Sequence, residues 1–265
     1  MEKIKNMLVC LDLTNMDPPL LEYATFVADR FDAEKVYFMH VIQAYDLPRK
    51  SSKSFPDLRT ELKEMVQQGL DQVIDENFKK SRSSEVIIKI EEQDAAEAII
   101  ACVSELSAQL LLLGQKYGED RQGRYGRKVA ASAPCDILLV PEAPHISMQR
   151  VFCALDFSEA SAKAFDRALF LYDRFKPEIR CYFIHDTSKS YFPASTYKSA
   201  DRSLSQAQKR HREFIDAFNR DSEAFPCLIE PVDERTSQGE RLYQAAEDHD
   251  TDLIIVGATG DTETE

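Results

Sequence analysis

A short apolar strand ending in an aspartate occurs twice in this chain, and that repeat constrains the fold more than any other feature. Met7-Leu8-Val9-Cys10-Leu11-Asp12-Leu13-Thr14 returns 144 residues later as Phe152-Cys153-Ala154-Leu155-Asp156-Phe157-Ser158. Leu110-Leu111-Leu112-Leu113-Gly114 returns 143 residues later as Leu253-Ile254-Ile255-Val256-Gly257. The Asp-to-Gly spacing is 102 residues in the first copy and 101 in the second. An internal period this long implies two homologous domains rather than a solenoid of small units. Residues 1–144 and 145–265 are the expected domains, joined through Pro141–Gln149.

Between the repeated strands each half alternates strand and helix. The strands are continuous apolar runs, as expected when both faces of a parallel sheet are covered by helices. In the first half they centre on residues 5–12, 36–42, 86–90, 110–113 and 137–140. In the second they centre on 151–156, 179–185, 227–232 and 253–256. Thr14, Asn15 and Asp17 are candidate caps for the first helix, with Pro18 in its first turn. Leu20, Leu21, Ala24, Val27, Ala28 and Phe31 then recur at helical spacing. The same spacing aligns Leu58, Leu62, Met65, Val66, Leu70 and Val73, and later Leu204, Ala207, His211, Phe214, Ile215 and Phe218. A short helix is expected near residues 127–133. After Gly257 only eight residues remain, so the second domain is expected to lack its last helix and strand.

A net charge of −13 argues against general binding to nucleic acid or anionic membranes, which requires a positive field. No apolar run reaches the ~20 residues of a membrane span, and the N-terminus lacks signal-peptide anatomy. A cytoplasmic protein is expected. No two of the six cysteines are spaced Cys-x-x-Cys, so they read as small apolar packers rather than metal ligands.

The order strand–Asp, strand–His, strand, strand–Gly-loop–helix, strand resembles the universal stress protein family over nearly the whole chain. The resemblance rests on Asp12 and Asp156, His40-Val41 and His185, Leu113-Gly114 and Val256-Gly257, and the closing Ala133-Pro134-Cys135-Asp136-Ile137-Leu138-Leu139-Val140-Pro141. It implies an α/β fold of two tandem doubly wound, Rossmann-like parallel sheets of order 3-2-1-4-5. It also implies a crevice between strands one and four, where some members bind ATP. Such a slot suits the point at which the winding reverses. A glycine there lets backbone amides approach a phosphate.

In the ATP-binding members that this chain resembles, the phosphate loop reads Gly-x2-Gly-x9-Gly-Ser/Thr, with the aspartate near ribose and metal and a valine beside the adenine. Asp12, Val41 and Gly114 match in the first copy. Gly118 comes one residue late, and Gly126 is followed by Arg127 instead of a hydroxyl residue. In the second copy Asp156, Gly257 and Gly260 match, but Asp186 stands where valine is expected, and the last Gly-Ser/Thr is absent. Residues 114–128 carry a net charge of +3. This reads either as a remodelled anion site on Arg127 and Lys128 at a helix N-terminus, or as a solvated loop paired with nearby acids.

His40 and His185 read as backbone caps, since no nucleophile repeats with them. Asp12 and Asp156 have an equivalent structural role, satisfying loop amides. A P-loop and an adenylation-type Ser-Gly-Gly loop are absent, so no catalytic residues are expected. The departures favour a stress-response module acting through unidentified protein partners, with degenerate nucleotide or anion crevices. An ATP-binding stress protein with slow or no hydrolysis is the alternative, its cofactor ATP or another adenine nucleotide with Mg. The tandem copies are expected to mimic a dimer within one chain, or to form a homodimer.

Overall fold

The computed structural model describes residues 4–43, 56–79, 84–116, 122–186, 197–232 and 237–258. They form two compact units that part between Ile146 and Ser147.

In the first unit, strands β1 (Asn6–Cys10), β2 (Lys35–Val41), β3 (Glu85–Glu91), β4 (Leu110–Gln115) and β5 (Asp136–Pro141) alternate with four helices. These are α1 (Asp17–Phe31), α2 (Pro56–Asn77), α3 (Ala95–Leu106) and α4 (Gln122–Ser132). All strand pairs are parallel, in the order β3-β2-β1-β4-β5. Met7, Leu8 and Val9 are buried on both faces, as their unbroken apolar run requires. Leu8, Tyr37, Met39, Leu111 and Leu113 pack with Ile99, Cys102 and Val103 of α3 and with Val129 of α4. The stripe of α1 is buried as its spacing predicts. In α2 the burial falls on Val66, Leu70 and Ile74, while Met65 is 68% exposed and stands outside the expected face. Leu58 has no described side chain.

The second unit holds β6 (Arg150–Ala154), α5 (Glu159–Phe175), β7 (Glu178–Asp186), α6 (Tyr197–Asp216), β8 (Cys227–Val232), α7 (Gln238–Asp248) and β9 (Leu253–Ile255). Its parallel sheet has the order β8-β7-β6-β9, the first four positions of the same winding. Phe165 is fully buried, and Phe214, Phe218 and Phe225 meet it edge-on at 5.6, 5.0 and 5.4 Å. Leu204 does not join them and is 42% exposed. Cys227, Cys181 and Cys153 stand in register across three neighbouring strands. Burial pushes the Cys153 and Cys227 thiols up to about 12, so they stay protonated and unreactive, as apolar packers do.

One polar clamp recurs at the entry to each sheet. Before β4, Gln109 Oε1 accepts the amides of Lys5 (2.9 Å) and Asn6 (2.8 Å). Before β9, the Asp252 carboxylate accepts the amides of Gln149 (2.8 Å) and Arg150 (2.9 Å) and the Ser147 hydroxyl (2.8 Å). Both residues satisfy backbone donors that precede the first ladder bond.

Candidate crevice between the first and fourth strands

The site grows from the end of β1. Leu11 still donates its amide to Met39 O (2.9 Å). The chain then turns with Leu13 in the left-handed region (φ 57°), and Phe157 repeats this at φ 64°. A non-glycine residue there costs about 1–2 kcal/mol, so other contacts must hold the turn. In the first copy Asp17 does so: its carboxylate accepts the amides of Asp12 (3.1 Å) and Leu13 (2.8 Å). Asp17 was a candidate cap. It opens α1 instead, and Met16 before it makes no side-chain cap bond. In the second copy Ser158 caps α5 by accepting the Ser161 amide (3.2 Å).

Asp12 and Gly114 are brought together, because Cys10 and Leu113 are direct partners in the β1–β4 pair. Asp12 Oδ1 accepts the amide of Thr14 (3.2 Å) and also its hydroxyl. Oδ2 receives Lys116 Nζ at 3.2 Å, with the lysine side chain 13% exposed. Asp156 Oδ1 likewise accepts the Ser158 amide (2.9 Å). Burial alone would raise the Asp156 carboxyl, but hydrogen bonds from Ser158 and Ser161 outweigh it and hold it below the ordinary range. Both aspartates thus satisfy loop amides. His40 Nδ1–H donates to Leu11 O at 2.9 Å, consistent with a backbone cap.

The glycines are needed for space. A Cβ on Gly114 would lie 2.5 Å from Met16 Cγ. A Cβ on Gly257 would lie 2.4 Å from both the carbonyl carbon and oxygen of Ala160. By the 144-residue period Met16 and Ala160 are equivalent positions, so each of these glycines is covered at the start of the helix that follows the first strand of its unit, α1 or α5. Met16 is 3% exposed.

Val41 ends β2, and its half-buried side chain packs against the cluster that includes Ile99, Cys102 and Val103 of α3. Gly126 and Arg127 lie inside α4, which already starts at Gln122. The expected placement of Arg127 at a helix N-terminus is therefore corrected, and with it the argument that an anion must neutralise it there. The Arg127 side chain lies outside the described residues, as do Gly118 and Gly260. Lys128 Nζ lies 3.4 Å from Glu97 and 3.7 Å from Asp94, so acids at the start of α3 face it. The Asp186 side chain is also outside the description. Lys116 and Met16 were missed as site residues; the sequence signal available was their position, two after the glycine and four after the aspartate.

Among the described residues no group of three or more His, Cys, Asp and Glu is placed to hold a metal ion. No described helix is long and apolar enough to cross a membrane. Among the described residues at the first crevice the carboxylate at its mouth carries a lysine ammonium, an arrangement that does not fit a divalent cation on Asp12.

Two buried titratable groups give the units opposite responses to acid. Burial pushes the Asp17 carboxyl up to about 6, with the Asp12 charge adding to this and the two amides opposing it. Its folded value lies above its unfolded one, so its contribution is fully present below about pH 4 and is lost as pH rises through about 6. His211 is 6% exposed, with Nε2 buried and unpartnered. Burial pulls it below the usual histidine range, a bond to the Phe225 backbone opposes this, and Arg212 adds to it. Its contribution is present above about pH 6.5 and is lost as pH falls below that. Unfolding followed from pH 7.5 to 5 is expected to show the first unit gaining about 1–1.5 kcal/mol relative to Asp17→Asn. The second unit should lose stability relative to His211→Gln. Parallel pH profiles of wild type and variants would remove this account.

The comparisons with known proteins agree with this architecture. The fold is similar to that of a universal stress protein from Archaeoglobus fulgidus DSM 4304, 18% identical, with a TM-score of 0.65 over 95% of this chain and 84% of that one. It is also similar to a putative universal stress protein from Pseudomonas aeruginosa UCBPP-PA14, 15% identical, with a TM-score of 0.59 over 99% and 85%. None of the curated proteins matches the chain. The sequence profile of the universal stress protein family matches residues 3–141 and again residues 148–265. With one match on each α/β unit, the chain belongs to the universal stress protein family.

Proposed function

We propose that this protein is a stress-response module that acts by binding other proteins, and that its crevices no longer serve a nucleotide. The observation that carries the reading is that the groups at the strand ends already have partners within the chain. Both oxygens of Asp12 are engaged by Thr14 and Lys116. Gly114 is covered by the Met16 side chain and Gly257 by the Ala160 backbone. A ligand that must displace an ion pair and a packed side chain loses part of its binding free energy. The same reading assigns no catalytic residues and a cytoplasmic location. The tandem domains would serve as an intramolecular pseudo-dimer or through a homodimer, distinguished by mass in solution.

The alternative, an ATP-binding stress protein, is favoured by one observation, the adjacency of Asp12 and Gly114 at the reversal of winding. Native mass spectrometry of the purified chain, followed by calorimetric titration with ATP and Mg, separates the two. The expected result is protein free of nucleotide and an affinity no tighter than about 1 mM. Stoichiometric ATP, AMP or another adenine nucleotide on the purified protein would replace the first reading with the second.

A further inference from the structure

The two crevices are closed by different kinds of atom, and this difference gives them different capacities. We infer that Lys116 and Met16 are the specificity-determining residues of the first crevice. They exclude an adenine nucleotide carrying a divalent cation, and their removal restores its binding there. The inference rests on the proposed reading that the crevices are self-filled.

Asp12 is 45% exposed at its side chain, so it stands at the mouth of the slot, yet neither oxygen is free. Oδ1 is engaged locally by Thr14, two residues on. Oδ2 is engaged across the slot by Lys116, which follows the end of β4. A divalent cation on Asp12 must either expel this ammonium or sit beside it against like-charge repulsion. The lysine stem is largely covered, so the ammonium is held in place rather than sampling solvent.

Met16 closes the level below. It is 3% exposed and sits where Gly114 leaves room, between the end of β4 and the start of α1. Lysine and methionine occupy the slot with side-chain atoms alone, so truncating them opens it without moving the backbone. The second crevice has no such freedom. There Gly257 meets the main chain of Ala160, and no rotamer change opens the gap. Restored binding is therefore confined to the first domain.

The test is calorimetric titration of the full chain with Mg·ATP, and with ATP in excess chelator, on wild type and Lys116→Ala/Met16→Ala. The double variant is expected to bind Mg·ATP at least about tenfold more tightly than wild type. The gain should need the metal and vanish when Asp12→Asn is added. Because truncating Met16 removes buried packing, Lys116→Gln alone is the second arm, with a smaller gain in the same direction. Unchanged affinity in variants shown to be folded by circular dichroism and thermal unfolding overturns the inference, as does a gain that survives Asp12→Asn. Tight Mg·ATP binding by wild type itself would instead sink the proposed function, so the two failures are distinguishable.

Discussion

Gly257→Ala is expected to cost the second domain about 3 kcal/mol or more while leaving the first unaffected. The added Cβ would meet the Ala160 carbonyl carbon and oxygen at 2.4 Å and the Ala160 Cβ at 2.9 Å. Two of these three atoms belong to the main chain of α5, which is anchored by the Ser158 cap and by Phe165 in the core. Relief requires shifting a helix or the end of β9, and packed interiors resist both. The equivalent Gly114→Ala clashes with Met16 Cγ, a side-chain atom, and is expected to cost about 1–2 kcal/mol. Met16→Ala should recover part of that loss, whereas Ala160→Gly should recover little in the second copy. Urea unfolding monitored by residue-resolved amide exchange assigns each loss to its unit. Equal costs at the two glycines would show that the side-chain versus backbone distinction has no energetic weight.

Asp252→Ala is expected to destabilise the same unit by about 3–4 kcal/mol, by removing a charged acceptor from three donors at once. The Asp252 side chain is 2% exposed, and its Oδ2 accepts two amides and one hydroxyl between 2.8 and 2.9 Å. Its Oδ1 also lies 3.4 Å from Arg150 Nη2. Bonds to a charged acceptor are about twice as strong as neutral ones, and their loss takes this acceptor from the Arg150 amide and leaves the Gln149 amide only its longer bond to Ser147 Oγ at 3.3 Å. Asp252→Asn keeps one acceptor oxygen and should lose roughly half as much. Gln109→Ala, which removes a neutral acceptor from two amides, should cost about 1–2 kcal/mol. Chemical denaturation of the three variants checks the order Asp252→Ala, Asp252→Asn, Gln109→Ala. A reversed order would mean that the clamp contributes through something other than its charge and burial.

Much of the architecture was legible because it follows from periodicity. Unbroken apolar runs such as Leu110–Leu113 suit only strands covered on both faces, and they lie buried in the sheet as β4. The stripe of α1 needed only its spacing. Local periodicity failed where a position at the rim of a stripe was assigned inward. Met65 and Leu204 keep helical spacing with buried neighbours yet point to solvent, because the width of the buried face depends on what packs against it. The start of α4 was misplaced for a related reason. The glycines at 123 and 126 read as loop residues, but the helix runs through both.

The sequence by itself determined the duplication and the alternation of buried strands with helices, because chain order and burial preference are both written in one dimension. The winding of each sheet, and with it the meeting of Asp12 with Gly114, was what the family resemblance implied, and the strand order bears the winding out. Only the tertiary structure decided what fills the crevice. Lys116 reaches Asp12 from 104 residues away, and Asp252 reaches Arg150 from 102. Whether Gly114 faces a side chain or Gly257 a backbone depends on ångström-scale spacing between a strand end and a helix start. Residue identity restricts such long-range contacts, but packing geometry selects among them.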